Sequence, residues 1–417
     1  MPARSVDYLL IGGGLASANC ARWLREGGAS GSILLVGREP DPPYNRPELS
    51  KSYMTGKESR DEVFFRPDEW WDEQEIELMT RTSVTGLDVN ERVATLQSGD
   101  EIRFGQALLA TGANVRRLRF EGCQLDGIHY LRTFGNADAI RADAEQAENV
   151  VLVGGSFIGT EVAASLTSLG KKCAIVMPEE ITLELPFGKE VGGFFHRVLE
   201  SNGVDIHGGD EPVRFEGEGD TRRAGTGGER VRRVVTKAGA ELDADMIVIG
   251  VGVTPDLTLA KSAGLEIGDS GVLVSSRLEA SCPDVYAAGD IAEFESVPLG
   301  RRLRVEHWDV AFNQGKTAAH NMLGRNVNHE EIPYFYSDLA DWSSMEYVGP
   351  GRGRPVFRGS MDDGNFTAFY LADDGVVTAA LTVGRSDDLE AARRFIRDNV
   401  APDERALADP STDLASL

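Results

Sequence analysis

The stretch VLVGGSFIGTE, Val151–Glu161, decides the fold. Val150 to Val153 is short and wholly apolar, the pattern of a buried strand. Gly154, Ser156 and Gly159 follow with the spacing of a G-x-G-x-x-G turn, Phe157 and Ile158 lie inside it, and a helix is expected from Glu161 to Leu169. Cys173 to Met177 is the next strand, and it ends at Pro178-Glu179. Strand, glycine turn, helix, strand and acid in this order make a dinucleotide-binding βαβ unit. Glu179 lies 20 residues past Gly159, the usual reach to an adenosine ribose, and no arginine sits beside it to take a 2′-phosphate. The expected nicotinamide is therefore NADH (NAD) rather than NADPH. Ser156 stands where the backbone should come close to the pyrophosphate, so its side chain is expected to hold that group off and weaken the affinity.

The chain already carries one such unit at its start, LLIGGGLAS, Leu9–Ser17. Tyr8 to Ile11 reads as a strand, Ala16 to Leu24 as an amphipathic helix, and Ser32 to Val36 as a second strand ending in Gly37-Arg38-Glu39. Gly12 permits the tight turn. Gly14, followed by Leu15 and Ala16, lets a pyrophosphate sit on the helix N-terminus, where amide groups and the dipole favour an anion. Ser17 replaces the third glycine and is small enough to keep helix and strand packed. Glu39 can accept hydrogen bonds from a ribose. Two dinucleotide sites in one chain suggest an electron relay, with a flavin (FAD) held permanently and a nicotinamide that diffuses in and out. A helix that starts at the nicotinamide can bring Glu161 beside the flavin ring, and a carboxylate there needs a cation. Lys51, in PYNRPELSK (Pro43–Lys51), is the candidate, and Arg46 is the candidate for phosphate or ring oxygens. From spacing alone, both also read as surface cations in a proline-rich loop.

The bulk properties narrow the class. A chain of 417 residues is long enough for two or three domains. A net charge of −24 excludes the basic face that nucleic acid requires. The four cysteines, Cys20, Cys123, Cys173 and Cys282, form no C-x-x-C pair, so no metal site and no local redox disulfide is expected. The longest apolar runs, such as Val248 to Val253, are far short of a membrane span, and MPARSVDYLLIGGG enters a strand without a leader-like apolar segment. A cytoplasmic enzyme is expected.

Taken together, LLIGGGLAS, PYNRPELSK, LLATGA (Leu108–Ala113), VLVGGSFIGTE, GVGVTPD (Gly250–Asp256), YAAGDIAEF (Tyr286–Phe294) and VEHWDVAFNQGKTAAHNMLG (Val305–Gly324) occur in an order that resembles the two-dinucleotide flavoprotein reductases of the pyridine nucleotide-disulfide oxidoreductase superfamily. The chain looks like the branch that holds oxygenase-coupled NADH:ferredoxin reductases and apoptosis-inducing factor. The resemblance implies a Lys51–Glu161 pair at the flavin. It also implies that Asp290, after Gly289, binds the flavin ribitol. Glu306-His307-Trp308 would start a helix whose N-terminus faces the flavin and whose dipole stabilises negative charge on the reduced ring. Trp308 would shield the ring or simply belong to the core. Thr111 and Gly112, and Gly250, Val251 and Gly252, would complete the cofactor contacts. The redox cysteine pair of the disulfide-reducing relatives is missing, since no cysteine lies between Cys20 and Cys123.

The fold expected is α/β: a FAD-binding domain from 1–113 and 250–323, an NADH-binding domain inserted at 114–249, a C-terminal α+β domain at 324–400 and a frayed tail at 401–417. Residues 215–231 read as a mobile, glycine-rich, hairpin-like loop without a catalytic role. In the third domain, Phe366 to Tyr370 and Val376 to Val383 should pair around Asp373-Asp374-Gly375, and a helix is expected from Leu389 to Asn399. Tyr334, Phe335, Tyr336 and Trp342 are candidates for acceptor docking or for shielding the flavin. The function expected is an NADH-dependent reductase passing electrons through FAD to a ferredoxin, Rieske-type proteins included. Arg301, Arg302 and Arg304 are the docking candidates, and the chain is a monomer or homodimer. A quinone or monodehydroascorbate reductase, or a redox sensor like apoptosis-inducing factor, are the alternatives.

Overall fold

The computed structural model describes residues 4–218 and 229–417. The first unit is built on the parallel core that the alternation-free apolar runs demand. The strand Arg4–Ile11 is paired on one side with Ile33–Val36 and on the other with Glu101–Leu109, both parallel. Ile76–Met79 extends one edge, and Val285–Ala287 joins Glu101–Leu109 from far along the chain. Leu9, Leu10, Leu34, Leu108 and Leu109 are fully buried, in a core shared with the helices Leu15–Glu26 and Trp308–Met322 and with the strands Val272–Val274 and Ala292–Ser296. The helices Leu15–Glu26 and Trp308–Met322 cross so closely that a Cβ on Gly315 would lie 2.3 Å from the Ala16 carbonyl oxygen.

The chain leaves this unit through Ala113–Val115 and returns through Val253–Pro255, and the two segments pair antiparallel as a two-stranded neck. Between them lies a second parallel sheet, in the order 205–207, 172–176, 149–153, 246–249, 128–130. Met246–Ile249 and Asn149–Val153 form its buried centre. The expected hairpin-like loop falls largely on residues 219–228, outside the described residues. The strands around it, Pro212–Glu218 and Arg230–Thr236, pair antiparallel.

The C-terminal unit is an antiparallel sheet in the order 334–339, 343–348, 377–383, 365–371, 354–360. The helix Asp388–Arg397 packs its apolar stripe, Leu389, Ala392, Phe395 and Ile396, onto the sheet. The segment from Ala401 is not frayed. Glu404–Ala408 is helical, and Leu407 and Leu414 are buried in the same core. Arg358, itself buried, donates to the carbonyls of Asp409 and of Thr412 (2.8 Å), which straps the tail to the sheet. A polar, Asp/Pro-rich composition hides this attachment, because only Leu407 and Leu414 are buried in the core and the rest of the strap uses backbone acceptors.

Candidate active site

The two glycine turns are held by backbone contact. Gly12 has φ of 120°, and a Cβ there would lie 2.1 Å from the Ala110 carbonyl oxygen. Gly14 differs: its backbone is extended, it caps the helix Leu15–Glu26, and its Cβ direction is open. An open glycine at a helix N-terminus is a place where a phosphate can reach the amides. In the second turn, Gly159 would place a Cβ 1.9 Å from the Gly154 carbonyl oxygen, and Gly154 would place one 2.4 Å from that of Gly250. Gly154 and Gly159 therefore serve close packing. Ser156 is exposed at the N-cap of the helix Phe157–Ser168 and makes no capping bond with its side chain.

One cleft of about 810 Å³ joins the two turns. Its wall takes Gly12, Gly14, Leu15, Ala16, Glu39, Arg46, Lys51, Thr111 and Gly112 from the first half, and Ser156, Phe157, Ile158, Glu161, Gly250 and Gly252 from the inserted unit. Gly289, Asp290, Glu306, His307, Trp308, Tyr334, Phe335 and Tyr336 close it. Such a volume lies in the upper part of the range for small-molecule sites, ~300–1,000 Å³. Its length, from one glycine turn to the other, suits an extended dinucleotide in the first half with a second one meeting it. Gly154, Gly159, Val251 and Glu179 lie outside this wall. Glu179 is half-buried past the end of the strand Lys172–Val176, where its carbonyl accepts from Gly209 at 2.9 Å. Trp342 also lies outside it and packs on the core.

At the centre, Lys51 Nζ lies 2.9 Å from Glu161 Oε1, and both side chains are largely buried. Glu161 also accepts from Ser50 (2.5 Å) and from Ser337 (2.6 Å). Lys51 further packs against the Tyr336 ring, 5.6 Å from its centre. Neither Lys51 nor Arg46 is a surface cation. Arg46 is not free to meet a ligand with its whole guanidinium. It pairs with Glu39 and donates to Tyr44 Oη at 2.7 Å, and Tyr44 in turn donates to Glu39 at 2.6 Å. Both Glu39 oxygens are thus engaged within the protein. Asp290 is paired with Arg132 at 2.7 Å. Tyr44, Ser50, Arg132 and Ser337 were not among the residues singled out from the sequence. Ser50 sits inside the RPELSK motif and could have been found there, whereas Arg132 and Ser337 have no local signature.

His307 precedes the helix Trp308–Met322, its ring 4.6 Å from that of Phe335, and its buried Nδ1 has no partner among the described residues. Loss of hydration pushes it down to about 4, so the ring is neutral at pH 7. Trp308 donates from Nε1 to Asn45 (3.1 Å) and stacks on Phe312, so it belongs both to the core and to the wall. Asp309, in the first turn, is pushed up to about 6 by burial. Arg304 donates to the Asp290 carbonyl (3.0 Å) and pairs with Glu306, and Arg302 donates to the Val274 carbonyl (2.8 Å). Of the expected docking trio, only Arg301 and Arg302 are exposed. None of the four unpaired cysteines lies on the cleft wall.

Fold and site together define a protein with two Rossmann-type units facing each other across one cleft, closed by a third unit. Residues 6–315 match the family described as pyridine nucleotide-disulphide oxidoreductase, and residues 334–417 match the reductase C-terminal family. The chain belongs to the pyridine nucleotide-disulphide oxidoreductases. It is similar to the ferredoxin–NAD(+) reductase component of the anthranilate 1,2-dioxygenase system of Burkholderia cepacia, 34% identical with 98% of each chain covered. Putidaredoxin reductase of Pseudomonas putida is 30% identical, covering 99% of this chain and 96% of the relative. Among solved structures, the ferredoxin reductase for the CYP199A2 system from Rhodopseudomonas palustris superposes with a TM-score of 0.91 at 31% identity, covering 98% of this chain and 99% of that one. The reductase in the covalent putidaredoxin reductase–putidaredoxin complex gives a TM-score of 0.91 at 29% identity, covering 99% and 97%.

Proposed function

We propose that the chain is an FAD-dependent NADH oxidoreductase that delivers electrons to a ferredoxin of an oxygenase system. The observation that carries this reading is the buried Lys51–Glu161 pair at the place where the two dinucleotide turns share one cleft. Relatives that match along nearly the whole chain bear the names of a ferredoxin–NAD(+) reductase component and of putidaredoxin reductase, and one solved relative is a covalent complex with putidaredoxin. FAD held in this cleft would supply the redox chemistry, two-electron acceptance of a hydride from NADH and one-electron release to the acceptor. The chain's own residues bind, orient and exclude water. Gly14, Leu15 and Ala16 offer amides to the FAD phosphates. Asp290, with Arg132 beside it, would take the ribitol, and Glu39, held by Arg46 and Tyr44, the adenosine ribose. Ser156, Phe157 and Ile158 lead the nicotinamide toward Glu161, and Glu179 marks the far ribose of NADH.

Glu161 and Lys51 set the charge at the meeting point. A half-buried His307, uncharged at pH 7, adds no positive charge and no acid there, which suits a hydride step that takes no proton from the donor. The helix that starts at Trp308 points the positive end of its dipole into the cleft. Four unpaired cysteines suit a reducing, cytoplasmic setting.

Anaerobic mixing tests this directly. The yellow protein should be bleached by NADH and then reoxidised by a ferredoxin at many electrons per second. Lys51→Ala and Glu161→Ala should each slow reduction by NADH about 10- to 100-fold in stopped-flow, with FAD retained. A chain that takes up no flavin, or one that reoxidises only with quinones, would overturn the proposal.

A further inference from the structure

Glu161 receives a hydrogen-bond or charge partner from two other parts of the molecule. Ser50 and Lys51 come from the first unit, and Ser337 comes from the strand Tyr334–Leu339 of the C-terminal unit. The carboxylate itself stands on the first turn and a half of the helix Phe157–Ser168 in the inserted unit. Lys51 and Ser337 share Oε1, at 2.9 and 2.6 Å, and Ser50 holds Oε2 at 2.5 Å. Ser50 and Ser337 are each 1% exposed, so water does not compete for these bonds.

A carboxylate held by one ammonium group can rotate about its last bond and swing off its partner. Two hydroxyls on opposite oxygens fix its plane. A hydrogen bond to an ionised group is shorter and about twice as strong as a neutral one, and leaving such a buried group short of a donor costs its desolvation. The neighbouring Tyr336 works on the other member of the pair: its ring lies against Lys51, and its hydroxyl donates to Glu48 at 3.2 Å. The same strand therefore orients both charges.

We infer that Ser337 is a positioning residue for NADH oxidation, through which the C-terminal unit completes a site otherwise built by the two nucleotide-binding units. This rests on Lys51–Glu161 being the place of hydride transfer. The test uses the FAD-loaded full chain. Ser337→Ala should lower the limiting rate of reduction by NADH about tenfold, or ~1.4 kcal/mol, while the half-saturating NADH concentration stays within twofold. FAD content per chain should stay close to wild type, while the thermal midpoint, measured alongside, should fall by a few degrees for the lost bond to a buried carboxylate and still show a cooperative transition. In a Glu161→Ala background the same substitution should change the rate less than twofold, since a residue acting through Glu161 has nothing left to position. Ser337→Cys keeps the volume with a weaker donor and should give an intermediate loss, and it carries the test if the alanine variant does not fold. An unchanged rate in Ser337→Ala, a loss that adds in full to that of Glu161→Ala, or a loss reversed by free FAD would each overturn the inference. A wild-type chain that binds FAD but is not reduced by NADH would instead sink the reading on which it rests.

Discussion

Asp309 and two histidines, half-buried His307 and buried His329, pull the pH dependence of stability in opposite directions. His307 and His329 are pushed down to about 4 because burial strips water from the charged ring. Between about pH 6.5 and 4 the unfolded chain therefore binds protons that the folded chain refuses, and stability falls as pH falls. Asp309 is pushed up to about 6 by the same loss of hydration, with Glu331 adding to it. Here the folded state binds the proton first, so stability rises as pH falls from about 6 toward 4. Replacing that carboxyl by an amide removes a charge the fold tolerates poorly. Asp309→Asn should stabilise the chain at pH 7 by roughly 1–3 kcal/mol, taking about 1.4 kcal/mol per pKa unit. The gain should shrink by about 1 kcal/mol at pH 5, where the wild-type group is already protonated when folded. Urea unfolding of both chains at the two pH values reads this out, and an equal gain at both would refute it. At this scale, Lys51 and Glu161 could be named from the sequence because each sits at a fixed offset inside a motif. Ser337 could not, because a serine in an aromatic strand carries no sign of which carboxylate it will meet.

The glycine turns show what the backbone of an element tolerates. Gly159 has ordinary helical φ but no room, since its Cβ would press on the Gly154 carbonyl oxygen at 1.9 Å. Gly155 would meet the Met177 sulfur at the same distance. Ser156, between them, has extended backbone and an exposed side chain, so it needs no glycine to fold. Gly159→Ala should therefore separate the helix Phe157–Ser168 from its strand and cost about 3 kcal/mol or more, in the range of strained core substitutions. Ser156→Gly should leave the unfolding transition within about 0.5–1 kcal/mol, the entropic cost of glycine, and tighten NADH binding severalfold by removing the side chain from the pyrophosphate path. Titration of NADH and denaturant unfolding on the two variants separate the effects. Elements of this kind were legible because strand, turn and helix each impose a period on neighbouring residues. The docking of the tail was not legible. Beyond two isolated leucines, Leu407 and Leu414, it depends on Arg358 meeting backbone carbonyls some fifty positions away, and carbonyls are the same in every sequence.

For the whole molecule the deciding quantity is charge. A chain of −24 repels an acidic protein at long range, but at physiological ionic strength the Debye length is about 8 Å, so local charges govern docking. The three arginines expected to supply them do not act alike. Arg304 reaches inward: it holds the Asp290 carbonyl and pairs with Glu306, both at the cleft. Arg302 is exposed yet spends donors on the carbonyls of Val274 and Glu293, which ties the strand Arg301–Leu303 to its neighbours. Arg301 is exposed, and its side chain has no ion pair or hydrogen bond among the described residues. Arg304→Ala should therefore loosen FAD, seen as a larger flavin dissociation constant, and leave the ferredoxin KM within twofold once flavin is saturating. Arg301→Ala should do the reverse: raise the ferredoxin KM about two- to fivefold at low salt, flatten its salt dependence, and leave flavin affinity alone. A surface charge contributes through screened attraction, so this difference should fade as ionic strength rises toward 0.5 M. If Arg301→Ala leaves KM and its salt dependence untouched, the acceptor approaches the cleft over another face, and the aromatic strand Tyr334–Leu339 that orients Lys51 and Glu161 becomes the first place to look.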